Sequence, residues 1–276
     1  MEMEGWHRRE SPARHRLRTT FDQAASLYRD VRPGYPEALF DDLVAHSGIP
    51  PGGRILEVGC GTGQATVPLA RRGFSILAIE LGEQLAAVAR EEVAPYPGVE
   101  VLVGTFEDWP LQPEAFDLVT AGTSFHWIDQ ELRYAKAAAA LRPGGAVAPF
   151  WNLHVHTDRD QGFFEAVQAV YEREVPWLVP QDYRGLLRPE DVPLDEVARI
   201  AASGRFGPVT VRRYPWEAEY DTATYLHLLQ TYSGHRTLEP AARARLLDAI
   251  AELMESRYGG RIVKGYLTTL YVARRR

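Results

Sequence analysis

The chain has 276 residues, 45% hydrophobic and 25% charged, and its 31 basic and 37 acidic side chains leave a formal net charge of −6. Such a chain can bury a full globular core, and its acidic surplus disfavours nucleic acid as a partner, because phosphate backbones attract basic surfaces. The single cysteine, Cys60, excludes an intramolecular disulfide and a cysteine zinc cluster. No apolar run reaches the roughly 18 residues of a spanning helix. The arginines at 8, 9, 14, 16 and 18 precede no apolar leader core. The expectation is a reduced, cytoplasmic protein with no membrane partner and a mobile tail over 1–20.

Pro36 suits a first helical turn, and Phe40, Leu43 and Val44 follow at helical spacing. Pro50-Pro51-Gly52-Gly53 breaks the chain before an apolar run, Ile55 to Val58, that reads as a buried strand. The next helix is predicted to begin near Gly63 and end at Gly73. A second strand covers Phe74 to Ile79, and Leu85, Val88 and Ala89 stripe the helix after it. A third strand runs from Val99 to Val103, and a fourth follows Phe116-Asp117. Asp129 can cap a helix carrying Leu132, Ala135 and Ala139 on one face. Arg142-Pro143-Gly144-Gly145 reads as a sharp stop before a fifth strand, Ala146 to Trp151.

This rhythm predicts an α/β fold with a doubly wound, mostly parallel sheet and every connecting loop of interest at its carboxyl edge. Residues 21–151 form the expected core. Residues 152–206 break the rhythm with one helix around Phe164, Val167 and Tyr171 and then scattered prolines, so they are expected to fold over the site as a helical cap insertion. Residues 207–276 complete the sheet with strands over Val209–Tyr220 and Ile262–Val272, and Leu246, Leu247, Ile250, Leu253 and Met254 stripe a helix between them.

The richest stretch is Glu57-Val58-Gly59-Cys60-Gly61-Thr62-Gly63. Glycines on alternate positions after a strand allow positive φ and let a ligand lie against the main chain. A phosphate-cradling P-loop needs Lys-Ser/Thr after its last glycine, and Gln64-Ala65 follows here. The dinucleotide fingerprint wants its third glycine at position 64, so a nicotinamide or flavin enzyme matches imperfectly. At Glu57, Gly59, Gly61 and Gly63 the stretch resembles the E-x-G-x-G-x-G loop of the class I S-adenosylmethionine-dependent methyltransferases. Within that family the small-molecule enzymes are most similar, including the trans-aconitate methyltransferase-like group. Their N-terminal segment resembles Phe21 to Tyr28 and Arg32 to Pro36.

The resemblance implies a seven-stranded, Rossmann-like methyltransferase fold whose last strand runs antiparallel, with S-adenosyl-L-methionine as cofactor. It places Glu80, at the tip of the second strand with Leu81 beside it, on the ribose hydroxyls. Gly104 to Pro110 resembles the adenine-binding segment, where Thr105 or Glu107 would hold the adenine edge and the Phe106 backbone would meet a ring nitrogen. Phe106 is equally suited to the core. The segment through Ala121 and His126 would line the methionine end, and Tyr28 and Arg32 would close over the methionine carboxylate. His126 is the candidate general base, a packing histidine being the alternative. Trp127, Trp151 and Tyr232 are candidate acceptor-pocket aromatics. His154 and His156 have no third partner for a metal, and none is expected. The expected activity is methyl transfer to oxygen or nitrogen of a small organic molecule. RNA or protein methylation and non-catalytic cofactor binding are the alternatives.

Overall fold

The computed structural model describes residue 29 and residues 31–180 and 183–276; the tail and Tyr28 lie outside them. Among the described residues seven strands form one sheet in the order β3-β2-β1-β4-β5-β7-β6. They are β1 Arg54–Val58, β2 Ser75–Glu80, β3 Val99–Val103, β4 Phe116–Gly122, β5 Leu141–Val155, β6 Phe206–Asp221 and β7 Arg261–Arg275. Strands β1 to β5 pair in parallel. Only β7 reverses, lying antiparallel to both β5 and β6. The order changes direction between β1 and β4, and in open α/β sheets that switch point opens a crevice at the carboxyl ends of the strands.

Side chains on successive strand residues face opposite ways, and both faces are covered. Ile55, Ile76, Ala78 and Leu118 meet Leu39, Phe40, Leu69 and Ala86 from helices α1 Glu37–Ser47, α2 Thr66–Arg71 and α3 Glu83–Val93. Leu56, Leu77, Ile79 and Val119 meet Tyr134, Ala137 and Ile200 from α4 Gln130–Ala140 and α6 Asp195–Ala202, α5 being Phe163–Glu174. Apolar burial on both faces explains why these strands read as continuous apolar runs. A third core joins Phe163, Val167 and Tyr171 of α5 to Tyr225 and Leu228 of α7 Thr222–Gln230. The short α8 Ser233–Arg236 follows, and α9 Pro240–Tyr258 adds Leu246, Ile250 and Met254 to the same core. This core packs on the part of β6 and β7 around Tyr220, Ile262 and Tyr266. None of the helices among the described residues is long and apolar enough to cross a membrane.

Local signals explain most helix ends. Asp129 accepts from the Glu131 and Leu132 amides, as its predicted capping role requires. Gly73, at φ +84°, follows the C-cap of α2. Pro36 sits one residue earlier than expected, outside α1 at ψ 138°. The main correction concerns β5. It begins directly after α4 and absorbs Arg142-Pro143-Gly144-Gly145, because pairing with β4 jumps from Phe116↔Leu141 to Leu118↔Ala146. It then runs on to Val155, since β7 continues beside it as far as Gly265.

Candidate active site

The loop after β1 holds Gly59, Gly61 and Gly63 at φ +72°, +58° and +96°. The Gly59 amide donates to the Ile79 carbonyl at 2.7 Å and ties the loop across the tip of β2. The Ser124 hydroxyl donates to the Val58 carbonyl, and this brings Ser124 so close that a Cβ on Gly59 would lie 2.5 Å from its Cβ. Glycine is therefore required there by both conformation and space. The helix α2 starts at Thr66, later than expected, so turns at 61–65 separate the glycines from the helix.

Two acids flank this loop. Glu80 is buried at the tip of β2, where its Oε2 accepts from the Gly61 amide at 2.8 Å and its Oε1 from the Gly82 amide at 2.9 Å. These bonds fix the carboxylate, and a carboxylate has about four acceptor positions in all. Glu57 is more deeply buried, at 1% exposure. Burial pushes its carboxyl up to about 7, and the Glu80 charge adds to the rise. Glu57 Oε2, Thr62 Oγ1, Gln64 Nε2 and Thr66 Oγ1 are buried with no hydrogen-bond partner among the described residues. Such atoms are rare in folded proteins; Glu57 and Gln64 also line a cavity, whereas Thr62 and Thr66 line none.

Two adjoining cavities open here. The smaller, about 110 Å³, is walled by Ile79, Glu80, Leu81, Leu85, Gly104 and Phe106 on one side and by Ser124, Trp127 and Ile128 on the other. The larger, about 340 Å³, runs from Glu57 and Gln64 past Trp151 to a group of aromatic residues from α5, α7 and β7. Arg32, Gly59, Gly61, Gly122, Thr123 and His126 line both.

The structure thus brings Arg32, Glu57, Gly59, Gly61, Glu80, Leu81, Phe106, His126, Trp127, Trp151 and Tyr232 to the cavity walls. Gly63 shapes the turn without lining a cavity. Thr105 and Glu107 line neither. The Thr105 hydroxyl donates to Asp108 at 2.7 Å and accepts from its amide, so it closes a local turn. The Glu107 carbonyl accepts from Lys136 Nζ at 2.8 Å. The Phe106 ring is core, stacked near Trp109 and Phe125. Ala121 is buried in the sheet, and its neighbour Gly122 forms the wall. Of the three aromatics expected to share an acceptor pocket, Trp127 lines the smaller cavity and Trp151 and Tyr232 the larger.

His126 is held by an indole. Trp151 Nε1 donates to its Nδ1 at 3.2 Å, and an indole nitrogen can only donate. The neutral imidazole therefore carries its proton on Nε2 and offers a donor to its surroundings. Arg32 is also fixed, with Nε 2.8 Å from Thr231 Oγ1, Nη2 3.0 Å from the Thr231 carbonyl and the guanidinium stacked 4.5 Å over the Tyr232 ring.

Gly122 and Thr123 lie within the segment expected at the methionine end, though neither was singled out there. Thr123 is β-branched yet sits at φ +53°, a conformation costing on the order of 1–3 kcal/mol. Its amide donates to the Phe150 carbonyl at 2.8 Å, and its hydroxyl meets Tyr35 OH at 3.0 Å and the Asn152 amide at 3.3 Å. Asn152 in turn donates to the Gly34 carbonyl at 2.9 Å. The segment 32–35 is thereby fastened to the sheet edge between the two cavities. A Cβ on Gly122 would fall 2.8 Å from the Phe150 ring. A threonine after a strand-terminal glycine was the available signal.

A Rossmann-like sheet with an acid–glycine loop at its switch point and a second acid at the next strand tip defines a nucleoside-cofactor site of the methyltransferase kind. Residues 55–145 match the family described as "Methyltransferase domain". An uncharacterized methyltransferase of Mycobacterium tuberculosis is 31% identical over 140 residues, which are 51% of this chain and 55% of that protein. The trans-aconitate 2-methyltransferase of Variovorax paradoxus is 29% identical over 182 residues, 65% of each chain. The chain spans about half the length of the first of these relatives. A solved protein of Anaeromyxobacter dehalogenans, provisionally named a type II methyltransferase, superposes with TM-score 0.58 at 25% identity over 88% of this chain and 97% of that one. The domain match, these relatives and the fold together indicate a class I S-adenosylmethionine-dependent methyltransferase.

Proposed function

We propose that this chain binds S-adenosyl-L-methionine and moves its methyl group to an oxygen or nitrogen of a small organic molecule. The observation that carries this reading is the larger cavity. It meets the glycine loop at Gly59 and Gly61 and is about 340 Å³ in volume, within the range of small-ligand sites and too small for a folded protein or a duplex. Glu57 and Gln64, each with an unsatisfied polar atom, line this cavity beside Gly59 and Gly61, and that wall fits the cofactor. Glu80 and Leu81 would hold the ribose, Gly104 and Phe106 the base, and Arg32 and Gln64 the amino-acid end. The bound cofactor would supply a methyl group already activated on sulfonium.

The chain's own part is then to orient the acceptor and exclude water, which can lower a barrier by roughly 7–11 kcal/mol in favourable cases. Trp151 holds His126 as an Nε2–H donor, so His126 positions an acceptor oxygen and does not deprotonate it. An acceptor already anionic at working pH needs no base. A cytoplasmic setting fits a chain that uses a cofactor of central metabolism. The test is calorimetric titration with S-adenosylhomocysteine, followed by a radiolabelled methyl-transfer screen of small acids, phenols and amines. Binding plus turnover of one of these supports the reading. Binding of a nicotinamide dinucleotide instead overturns it.

A further inference from the structure

The neck between the two cavities is fastened by a chain of hydrogen bonds that begins outside both. Trp216 of β6 stacks on Tyr266 of β7, ring centres 4.7 Å apart, and its Nε1 donates to Thr268 Oγ1 at 2.8 Å. Thr268 is fully buried and pairs with Asn152 across the β5–β7 ladder. Its hydroxyl donates to Asn152 Oδ1 at 2.5 Å. Asn152 then donates twice, through Nδ2 to the Gly34 carbonyl at 2.9 Å and through its backbone amide to Thr123 Oγ1 at 3.3 Å. Trp216 and Thr268 line neither cavity, whereas Asn152 lines the larger one. The two ends of the chain set its direction. An indole nitrogen only donates and a carbonyl only accepts, so the Asn152 amide must turn Oδ1 to Thr268 and Nδ2 to Gly34.

Arg32, Gly122 and Thr123 line both cavities and so form the neck. Tyr35 leans over it: a Cβ on Gly122 would fall 2.9 Å from its hydroxyl. One end of the segment 32–35 is held by the Arg32 bonds to Thr231, just past α7. At Gly34 an added Cβ would meet nothing within 4 Å, so packing does not fix the backbone there and the Asn152 bond does. We infer that Asn152 is a positioning residue for methyl transfer. It holds residues 32–35 where Arg32 grips the amino-acid end of the cofactor, and Thr268 fixes the orientation of its amide. This rests on the methyltransferase reading above and adds a residue to it. Asn152 acts through Gly34, two positions from Arg32, and needs no contact with the cofactor.

The test titrates the full chain calorimetrically with S-adenosylhomocysteine and with 5′-methylthioadenosine, which shares the nucleoside and lacks the amino-acid end. Asn152→Asp keeps the shape and the acceptor for Thr268 but sets a carboxylate oxygen against the Gly34 carbonyl. S-adenosylhomocysteine should then bind at least about tenfold more weakly, while 5′-methylthioadenosine changes by less than about twofold. Asn152→Ala should be milder than Asn152→Asp, because water can reach the freed carbonyl; a side chain that only fills space would give the opposite order. Thr268→Val repeats the test without a new charge and should weaken S-adenosylhomocysteine about threefold, with Thr268→Ser restoring it. If Thr268→Val does not fold, the two Asn152 variants decide. Unchanged S-adenosylhomocysteine affinity in Asn152→Asp, equal loss of both ligands, or greater damage from Asn152→Ala overturns the inference. Failure of the wild-type chain to bind S-adenosylhomocysteine overturns the methyltransferase reading instead.

Discussion

Glu57 should make the fold less stable as pH rises through neutrality. Its carboxyl is buried beneath the glycine loop and raised from 4.5 to about 7, first by burial and then by the Glu80 charge. Between those two values the folded chain holds a proton that the unfolded chain has released. Folded stability therefore falls as pH rises across this window and levels off above it. The gap between 4.5 and about 7, at about 1.4 kcal/mol per pH unit, comes to about 3 kcal/mol. About 2.5 kcal/mol of this falls between pH 5 and pH 8. Glu57→Gln keeps the side-chain shape and removes the titration. Chemical denaturation of both proteins without cofactor at pH 5 and pH 8 isolates the effect as a difference of differences, in which other titrating groups cancel. Wild type should lose about 2–3 kcal/mol more than the variant over this interval. Parallel pH dependences would refute the buried, protonated Glu57.

Other expectations follow from the same geometry. Gly61→Val puts a branched residue at φ +58° and against the ligand, so cofactor affinity should fall by at least about 100-fold; calorimetry of the folded variant measures it. His126→Ala should slow turnover about 100-fold through loss of one placed donor, while the cofactor Kd changes little, and steady-state kinetics with a cofactor titration separate the two. Glu196, 5% exposed, accepts from Arg133 Nη2 at 3.2 Å and from Tyr134 OH. Glu196→Ala strands the buried Arg133 charge and should cost about 3–5 kcal/mol by denaturant titration. Arg133 also donates to the Phe125 carbonyl at 3.1 Å, so methyl transfer should weaken with it through the turn that carries His126.

The parts of the site readable from sequence are those built by neighbouring residues. Gly59, Gly61, Gly63 and Glu57 lie within a few positions of one another, and Glu80 closes on the Gly61 amide from the next strand tip at 2.8 Å. The surroundings of Thr105 are local in another way: Asp108, three residues on, accepts from its hydroxyl at 2.7 Å. Thr123 was hidden because its strained φ is enforced from afar, by Phe150, Tyr35 and Asn152. Asn152 and Thr268 meet only because β7 runs antiparallel beside an extended β5, and no spacing in the chain announces that pairing. The indole–imidazole bond that sets His126's proton likewise joins positions 25 apart.

A crystal structure of the chain with S-adenosylhomocysteine tests the central claim most directly. The account predicts the ribose hydroxyls on the Glu80 carboxylate, the amino-acid end above Gly59 and Gly61, and the sulfur beside Gly122 and Thr123, facing the aromatic cavity. An empty crevice at saturating ligand, or a pyrophosphate-bearing nucleotide bound there in preference, would contradict it.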